Sequence, residues 1–406
     1  MPVEYDPNVD VTDAEIEAWI GEVMESPYEF DTHQNDVPHA KELAIWEAVT
    51  RRQKHFSNVL LEGNGFINTG AEIFQRGGIS AAIAMTDAAY NAPDRVYSLI
   101  QGGPAATIQQ VNVPTGLASG SFNARKVIRL VAGGTTYRFG IASVFEAWYS
   151  VPSRGRSKTF SFKVAANKNA GSGSINVRYA ILEWTGTADT VTKDVVNDWA
   201  SGIFTGGNFF ASTTLNVLAT GVTAITHNTS QQISISATVG VSCNNLIVMV
   251  LHQDVPAHAS DRIDVSEFGL WLGTYAPTIW VPRDDLALSQ RFYCKSYPID
   301  TAPANSVRIF QPAIGTALTT GDLYSQNIKF PVQMRTTPIL TFYRPSTVIG
   351  ADNLWSSFQG GAWAAVTSMN SGVDDFGFYA QGARAGAWTA GNSHAYAGDW
   401  AASAEL

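Results

Sequence analysis

From about Gly120 to Gly273 apolar and polar residues alternate in short runs separated by turn formers, the period expected of half-buried β-strands. The pattern predicts strands over Lys126 to Val131, Thr135 to Tyr149, Lys158 to Ala165, Ile175 to Trp184, Thr213 to Thr220, Gln231 to Val241, Leu246 to His252 and Ile263 to Leu272. Strands this short and frequent, without alternating helical periods, predict a jelly-roll β-sandwich rather than βαβ units. Further runs over Val307 to Ile314, Asn327 to Val332, Pro338 to Tyr343, Ala362 to Ser368 and Phe376 to Tyr379 predict a smaller C-terminal β domain. Asp284 to Tyr297 reads as the connector between them.

The first 60 residues follow a different period. Thr12-Asp13-Ala14-Glu15 forms a capping box, in which hydroxyl and carboxylate satisfy free donors of a first helical turn. Ile16, Trp19, Ile20, Val23 and Met24 then fall on one helical face, which Ser26-Pro27 ends. A second helical stretch, Pro38 to about Asn58, carries Ile45, Val49, Phe56 and Val59 at heptad-like spacing interrupted by Arg52. A plain two-helix hairpin and a short coiled coil both fit. Such an arm cannot bury its own stripes and needs a partner surface. Charge sharpens this picture: of the net −9, residues 1–60 hold 13 acids and 4 bases, leaving 22 of each in the rest. An acidic block is either a solvated tail or a docking arm for a basic surface. The neutral body argues against nucleic-acid binding, which needs clustered positive charge. The expected organisation is therefore an acidic helical attachment arm (1–60), the sandwich (61–285) and the C-terminal β domain (286–406).

Composition agrees with a mainly β protein: 45% hydrophobic, 15% charged, with 35 glycines among 406 residues. The two cysteines, Cys243 and Cys294, read as buried small hydrophobes, with a single bridge left open. The start, MPVEYDPNVDVTDAE, has neither the basic opening nor the apolar core of a signal peptide. The longest apolar runs, such as Leu246 to Leu251, fall short of a membrane span, so no membrane insertion is expected. Common catalytic signatures are absent: no G-x-S-x-G, H-E-x-x-H, Walker A, C-x-x-C or EF-hand loop. His252 and His258 flank Asp254, but that spacing reads as an exposed loop rather than a metal group. Asp374-Asp375 reads as a turn, since adjacent strand residues point to opposite faces.

The segment Leu60 to Tyr97 marks the entry to the body. It carries Asn64, Gly65 and Phe66, then Gln75, Arg76 and Gly77, then Asp94, Arg95 and Tyr97. Far downstream stand IDVSEFGLWLG (Ile263 to Gly273), the set Leu286, Gln290, Arg291, Phe292, Tyr293, Lys295, Ser296 and Tyr297, and a closing Ala404-Glu405-Leu406. In this order the marks resemble tail-fibre and virion-appendage (spike) proteins of bacteriophages and prophages that carry a carbohydrate-binding-like jelly roll. Val96 departs from the Trp common in that group, and Ser289 from the Cys. The resemblance implies a virion protein, assembled in the bacterial cytoplasm and exposed on the particle surface. It also implies a homo-oligomer, usually a trimer, joined to other virion proteins through residues 1–60. Sandwiches of this type often hold a structural calcium near the first strand, for which Glu62 and Asp94 are available carboxylates; no other cofactor is expected. Asp94 and Arg95 read as an internal ion pair or loop clamp.

Sugar binding needs flat aromatic faces and short polar side chains. Trp355, Trp363, Arg384, Trp388 and Tyr396 offer both in Gly-rich C-terminal stretches, with core or subunit-interface packing as the competing reading. The expected function is attachment to host cell-surface glycans by multivalent binding, without catalysis. The alternatives are a purely architectural decoration, tail or baseplate protein, and a polysaccharide depolymerase, which would need two carboxylates across a sugar bond.

Overall fold

The computed structural model describes residues 64–77, 81–102, 106–135, 137–277, 285–305, 313–316, 323–345, 353–359, 362–384 and 393–406. Eleven of its strands build a sandwich: β1 (Ile83–Ala84), β2 (Tyr97–Ile100), β3 (Ala106–Asn112), β4 (Lys126–Ala132), β5 (Phe139–Val144), β6 (Ser157–Asn167), β7 (Ser174–Trp184), β8 (Leu215–Thr226), β9 (Thr229–Thr238), β10 (Asn245–His252) and β11 (Arg262–Leu272). They form two antiparallel sheets, ordered β1-β3-β4-β11-β6-β9 and β2-β5-β10-β7-β8. Inward-facing side chains of both sheets, among them Ile128, Phe160, Phe162, Val177, Val248 and Phe268, make one apolar core.

The burial pattern follows position in the sheets. Edge strand β9 alternates, with Ile233 inward and Gln232 and Ser234 outward. Central strand β10 is buried at every residue because both of its faces are covered. Leu246, Val248 and Val250 face the sandwich core, while Ile247, Met249 and Leu251 join a second apolar cluster with Val195, Phe209 and Phe210 from the β7–β8 connection.

Strand formation begins earlier than the alternation suggests, since β1 to β3 precede Gly120. In β3 the buried Gln110 interrupts the apolar face; its Nε2 donates to the Ala71 carbonyl at 2.6 Å. The expected strand Thr135 to Tyr149 divides into β5, a one-turn helix α1 (Ala147–Ser150) and a 3-10 turn at Val151–Ser153. One turn is too short to show a helical period. Asp189 caps it, its Oδ1 accepting from the Ala147 N–H at 2.9 Å.

Past the sandwich come α2 (Leu286–Gln290), β12 (Tyr293–Lys295), β13 (Ala313–Thr316), β14 (Leu323–Tyr324), β15 (Ile328–Lys329), β16 (Ile339–Tyr343), β17 (Ser356–Gln359), β18 (Ala362–Val373), β19 (Gly377–Arg384), β20 (Ser393–Ala397) and β21 (Asp399–Ser403). These form smaller sheets, β12-β21-β16 and β13-β20-β17-β18-β19-β14, with β15 also on β19. Trp355, Phe378, Tyr396 and Trp400 centre their core. Asp374 makes the β18–β19 turn, its Oδ1 accepting from Phe376 and Gly377 N–H at 2.8 and 2.9 Å. The two helices expected within 1–60, Glu62 and the strand start at Val307 lie outside the described residues. Both cysteines are free and buried. No helix among the described residues is long and apolar enough to cross a membrane.

Gly65–Leu406 forms one compact unit, distinct from Met1–Asn64, and the marker residues explain how its two parts are joined. Glu405, from the penultimate position, accepts from Arg76 at 3.0 Å and from Arg95 at 2.6 Å. The Arg95 guanidinium lies 3.5 Å from the Phe292 ring centroid, and that of Arg76 lies 3.8 Å from the Tyr293 centroid. Gln75 donates its backbone N–H and Nε2 to the two Asp94 oxygens at 3.0 and 2.6 Å, and Nε2 also reaches the Tyr293 carbonyl at 2.7 Å. Asp94 and Arg95 are thus a loop clamp whose partners are Gln75 and Glu405 rather than each other. Arg95 holds φ +71°, a left-handed conformation costly for a side-chain-bearing residue, and its Nη2 and carbonyl are tied to Val144 and Ser143. Gly77 sits under the Phe74 ring with no room for a Cβ. Arg291 pairs with Glu146 at 3.4 Å, Gln290 ends α2, and Asn64 is buried.

Removing one partner of a buried ion pair leaves an uncompensated charge. Glu405→Ala is expected to lower unfolding stability by about 3–5 kcal/mol, read as a shift of the urea midpoint; a change under about 1 kcal/mol would contradict the clamp.

Candidate functional site

The C-terminal aromatic residues divide by location. Trp355 and Tyr396 are fully buried, which corrects their assignment as ligand faces. Trp355 packs edge-on to Phe342 at 5.2 Å and donates its Nε1–H to the Asp399 carbonyl at 2.9 Å. Tyr396 spends its hydroxyl on the Gly382 carbonyl at 2.6 Å. Their apolar bulk is what the small C-terminal sheets need for a core. Trp363 is half-buried on β18, 5.0 Å from Phe358. Arg384 ends β19, and Trp388 lies outside the described residues.

The His252 to Asp261 loop also differs from expectation. His258 is exposed, but His252 is buried, its ring stacked on Phe139 at 5.0 Å and its Nδ1 2.8 Å from the Asp254 carbonyl. Its Nε2 is buried without a partner among the described residues, and burial lowers its pKa from the ordinary value near 6.5, against the pull of Asp254 and Asp261. No group of three or more metal-ligating side chains gathers among the described residues. Burial pushes the Asp94 carboxyl up to about 6, opposed by Arg76 and the Gln75 hydrogen bonds. Both Asp94 oxygens accept from Gln75 inside the junction, and Glu62, the other available carboxylate, lies outside the described residues.

A surface cavity lies where β7 gives way to β8. The connection 185–214 folds over the outer face of the five-stranded sheet, held by Phe209, which meets Phe204, Phe210 and Trp199 at 4.7, 5.1 and 5.8 Å. Aromatic contacts of this kind add about 0.5–1.5 kcal/mol each beyond burial. At the strand ends the connection leaves a pocket of about 250 Å³ lined by Trp184, Thr192, Asp194, Ala211, Thr213, Thr214 and Leu215.

Its parts are fixed before any ligand arrives. The Trp184 Nε1–H donates to the Thr187 carbonyl at 2.9 Å, and Gly186 lies so close that a Cβ there would be 2.5 Å from the indole. The Thr185 N–H and the Thr214 carbonyl, 2.8 Å apart, close the strand ends. Leu215 is a buried floor. Thr192, Asp194, Thr213 and Thr214 are exposed at the rim. Asp194 Oδ1 accepts from the Val196 N–H at 3.3 Å, whereas Oδ2 and the Thr192 and Thr213 hydroxyls have no hydrogen-bond partner among the described residues. Lys193 holds its ammonium over the Tyr90 ring, 4.9 Å from the centroid. Burial, and then Asp194, raise the pKa of nearby Asp87. The pocket thus joins an aromatic wall, hydroxyls and a carboxylate, and no cation lines it.

Nothing in the alternation of the chain sets Trp184 apart from any other strand end. Its signal is the composition that follows, T-G-T-A-D-T-V-T-K-D, as rich in short polar side chains as the C-terminal stretches.

No protein-family model and no curated protein matches the sequence. Among solved structures the chain is distantly similar to the enzymatically active domain of bacteriophage CBA120 tailspike protein 4 (TM-score 0.29, 11% identity, covering 52% of this chain and 21% of that one). It is likewise similar to the CBM22-1 xylan-binding domain of Paenibacillus barcinonensis Xyn10C (TM-score 0.27, 12% identity, 50% and 99% covered). A third is the C-terminal family 22 carbohydrate-binding module of Clostridium thermocellum Xyn10B (TM-score 0.27, 11% identity, 49% and 98% covered). The matched part spans about a fifth of the tailspike chain.

Two measurements separate packing from titration. Trp355→Ala is expected to cost about 3–5 kcal/mol of stability by emptying the C-terminal core, read by denaturant unfolding. Burial holds the His252 pKa below its ordinary value in the fold, while the unfolded chain takes up a proton near pH 6.5. Its contribution to stability therefore falls as pH falls through that range. The stability difference between wild type and His252→Phe should shift toward the variant from pH 7.5 to pH 5; a pH-independent difference would show that burial does not lower the His252 pKa.

Proposed function

We propose that this protein is a glycan-binding appendage of a bacteriophage or phage-like particle, a fibre or spike that holds the host surface through weak, repeated sugar contacts. The observation that carries the glycan-binding reading is the Trp184 pocket: a fixed indole, free threonine hydroxyls and a carboxylate around a cavity of about 250 Å³. Sugars present C–H faces and hydroxyls, and those groups match an aromatic wall with donors and acceptors at its rim. The order of marker motifs supports the appendage reading, and the acidic arm supplies the means of joining other virion proteins. A homotrimer multiplies a weak site, since linked sites gain roughly 10²–10⁴ in avidity over a single one.

The test uses the full-length protein with intact host envelope polysaccharide, recording both protein retention and polymer length. Retention with unchanged length is expected, together with its loss in a Trp184→Ala variant that still unfolds cooperatively. Shortened polymer would make the protein a depolymerase, and retention indifferent to Trp184 would move the site elsewhere.

A further inference from the structure

Pocket size and charge narrow the ligand. Ligand sites commonly run from about 300 to 1,000 Å³, and this one, at about 250 Å³, lies just below that range. It has room for about eight water molecules at their liquid volume of ~30 Å³, the bulk of one sugar ring rather than of an oligosaccharide. Neighbouring units of a polymer would lie outside it, so the pocket suits a chain end or a side branch.

Charge then separates sugar classes. Asp194 is the one ionisable side chain lining the pocket, with Oδ2 open to a ligand. Recognition of a carboxylate or phosphate is typically carried by Arg or Lys. The neighbouring cation, Lys193, is drawn to Tyr90. Arg138 and Arg178, on the same side of the sheet, are also committed. Arg138 donates to the Trp199 and Ser201 carbonyls at 2.7 and 2.8 Å, and Arg178 donates to Gln253 at 2.8 Å while stacking 3.5 Å from the Phe204 centroid. An anionic ring in the pocket would meet Asp194 with no compensating charge. A neutral ring places hydroxyls on Asp194 and the threonines, and an amino sugar adds an ammonium that Asp194 pairs.

Resting on the glycan-binding reading above, we infer that the Trp184 pocket takes a single non-acidic pyranose unit, neutral or amino-substituted, from a chain end or branch, and rejects uronic and sialic acids.

Saturation-transfer NMR on the full-length protein tests this with methyl pyranosides of the gluco, galacto and manno series, glucosamine, and the matching hexuronic acids. At least one neutral or amino sugar is expected to bind in the millimolar range, with its uronic counterpart at least tenfold weaker. Trp184→Ala should abolish the signal. Asp194→Asn should close most of the gap between the uronate and its neutral partner. A uronate binding as well as its neutral partner, still lost in Trp184→Ala, would overturn the charge assignment and leave the glycan site standing. Polysaccharide retention that depends on Trp184 without binding of any single sugar would overturn the one-ring assignment. Absence of both polymer retention and sugar binding would instead defeat the glycan-binding reading itself.

Discussion

A single carboxylate near the end of the chain, Glu405, holds two arginines from the beginning of the body, and much of the architecture depends on that pairing. Arg76 and Arg95 each lie against an aromatic ring supplied by the segment after the sandwich, so the carboxylate and the rings fix both guanidiniums from two sides. The same contacts tie three distant segments into one junction. Its neighbours extend the tie: Asp285 accepts from Asn68 N–H at 2.8 Å at the start of α2, and Lys295 donates to the Gln75 carbonyl at 2.5 Å. Leu406, the next residue, packs into the cluster beneath the β7–β8 connection. A buried ion pair is weak evidence for stability by itself, because desolvation offsets much of the attraction. Here its consequence is geometric, since it joins the sandwich and the C-terminal sheets within one unit.

Sequence pattern was a good guide to most sandwich strands, whether one face or both were covered. β4, β6, β7 and β11 lie close to where alternation puts them. The guide failed where the inward face was polar, and it held at two-sided β10, which spans the expected Leu246 to His252. The run from Leu246 to Leu251 has no alternation because the connection 185–214 covers its outer face, so the run itself announces a covered sheet. Gln110 hid β3 by placing an amide, satisfied by the Ala71 carbonyl, on the inward face. The junction was legible as motif order, yet the partner exchange was not. Adjacent Asp94 and Arg95 suggest a pair, and nothing local tells that the arginine belongs to Glu405, 310 positions away.

The candidate site shows the same division between composition and place. Aromatic and short polar residues mark sugar-binding chemistry wherever they occur, and the C-terminal stretches are richest in them. Trp355 and Tyr396 are consumed by a small core shared with Phe330, Phe342, Phe378 and Trp400, whereas Trp184 stands at a strand end with a folded connection beside it. Which tryptophan faces a ligand is decided by the packing demands of the surrounding sheets. Those demands depend on contacts that local composition does not record.

The most direct measurement is a crystal structure of the full-length protein soaked with short fragments of the host envelope polysaccharide. The account predicts one ordered sugar ring against Trp184, with hydroxyls on Thr192, Thr213 or Asp194 and the remaining units leaving the pocket. A fragment ordered at Trp363 or elsewhere, with the Trp184 pocket empty at saturating concentration, would contradict it.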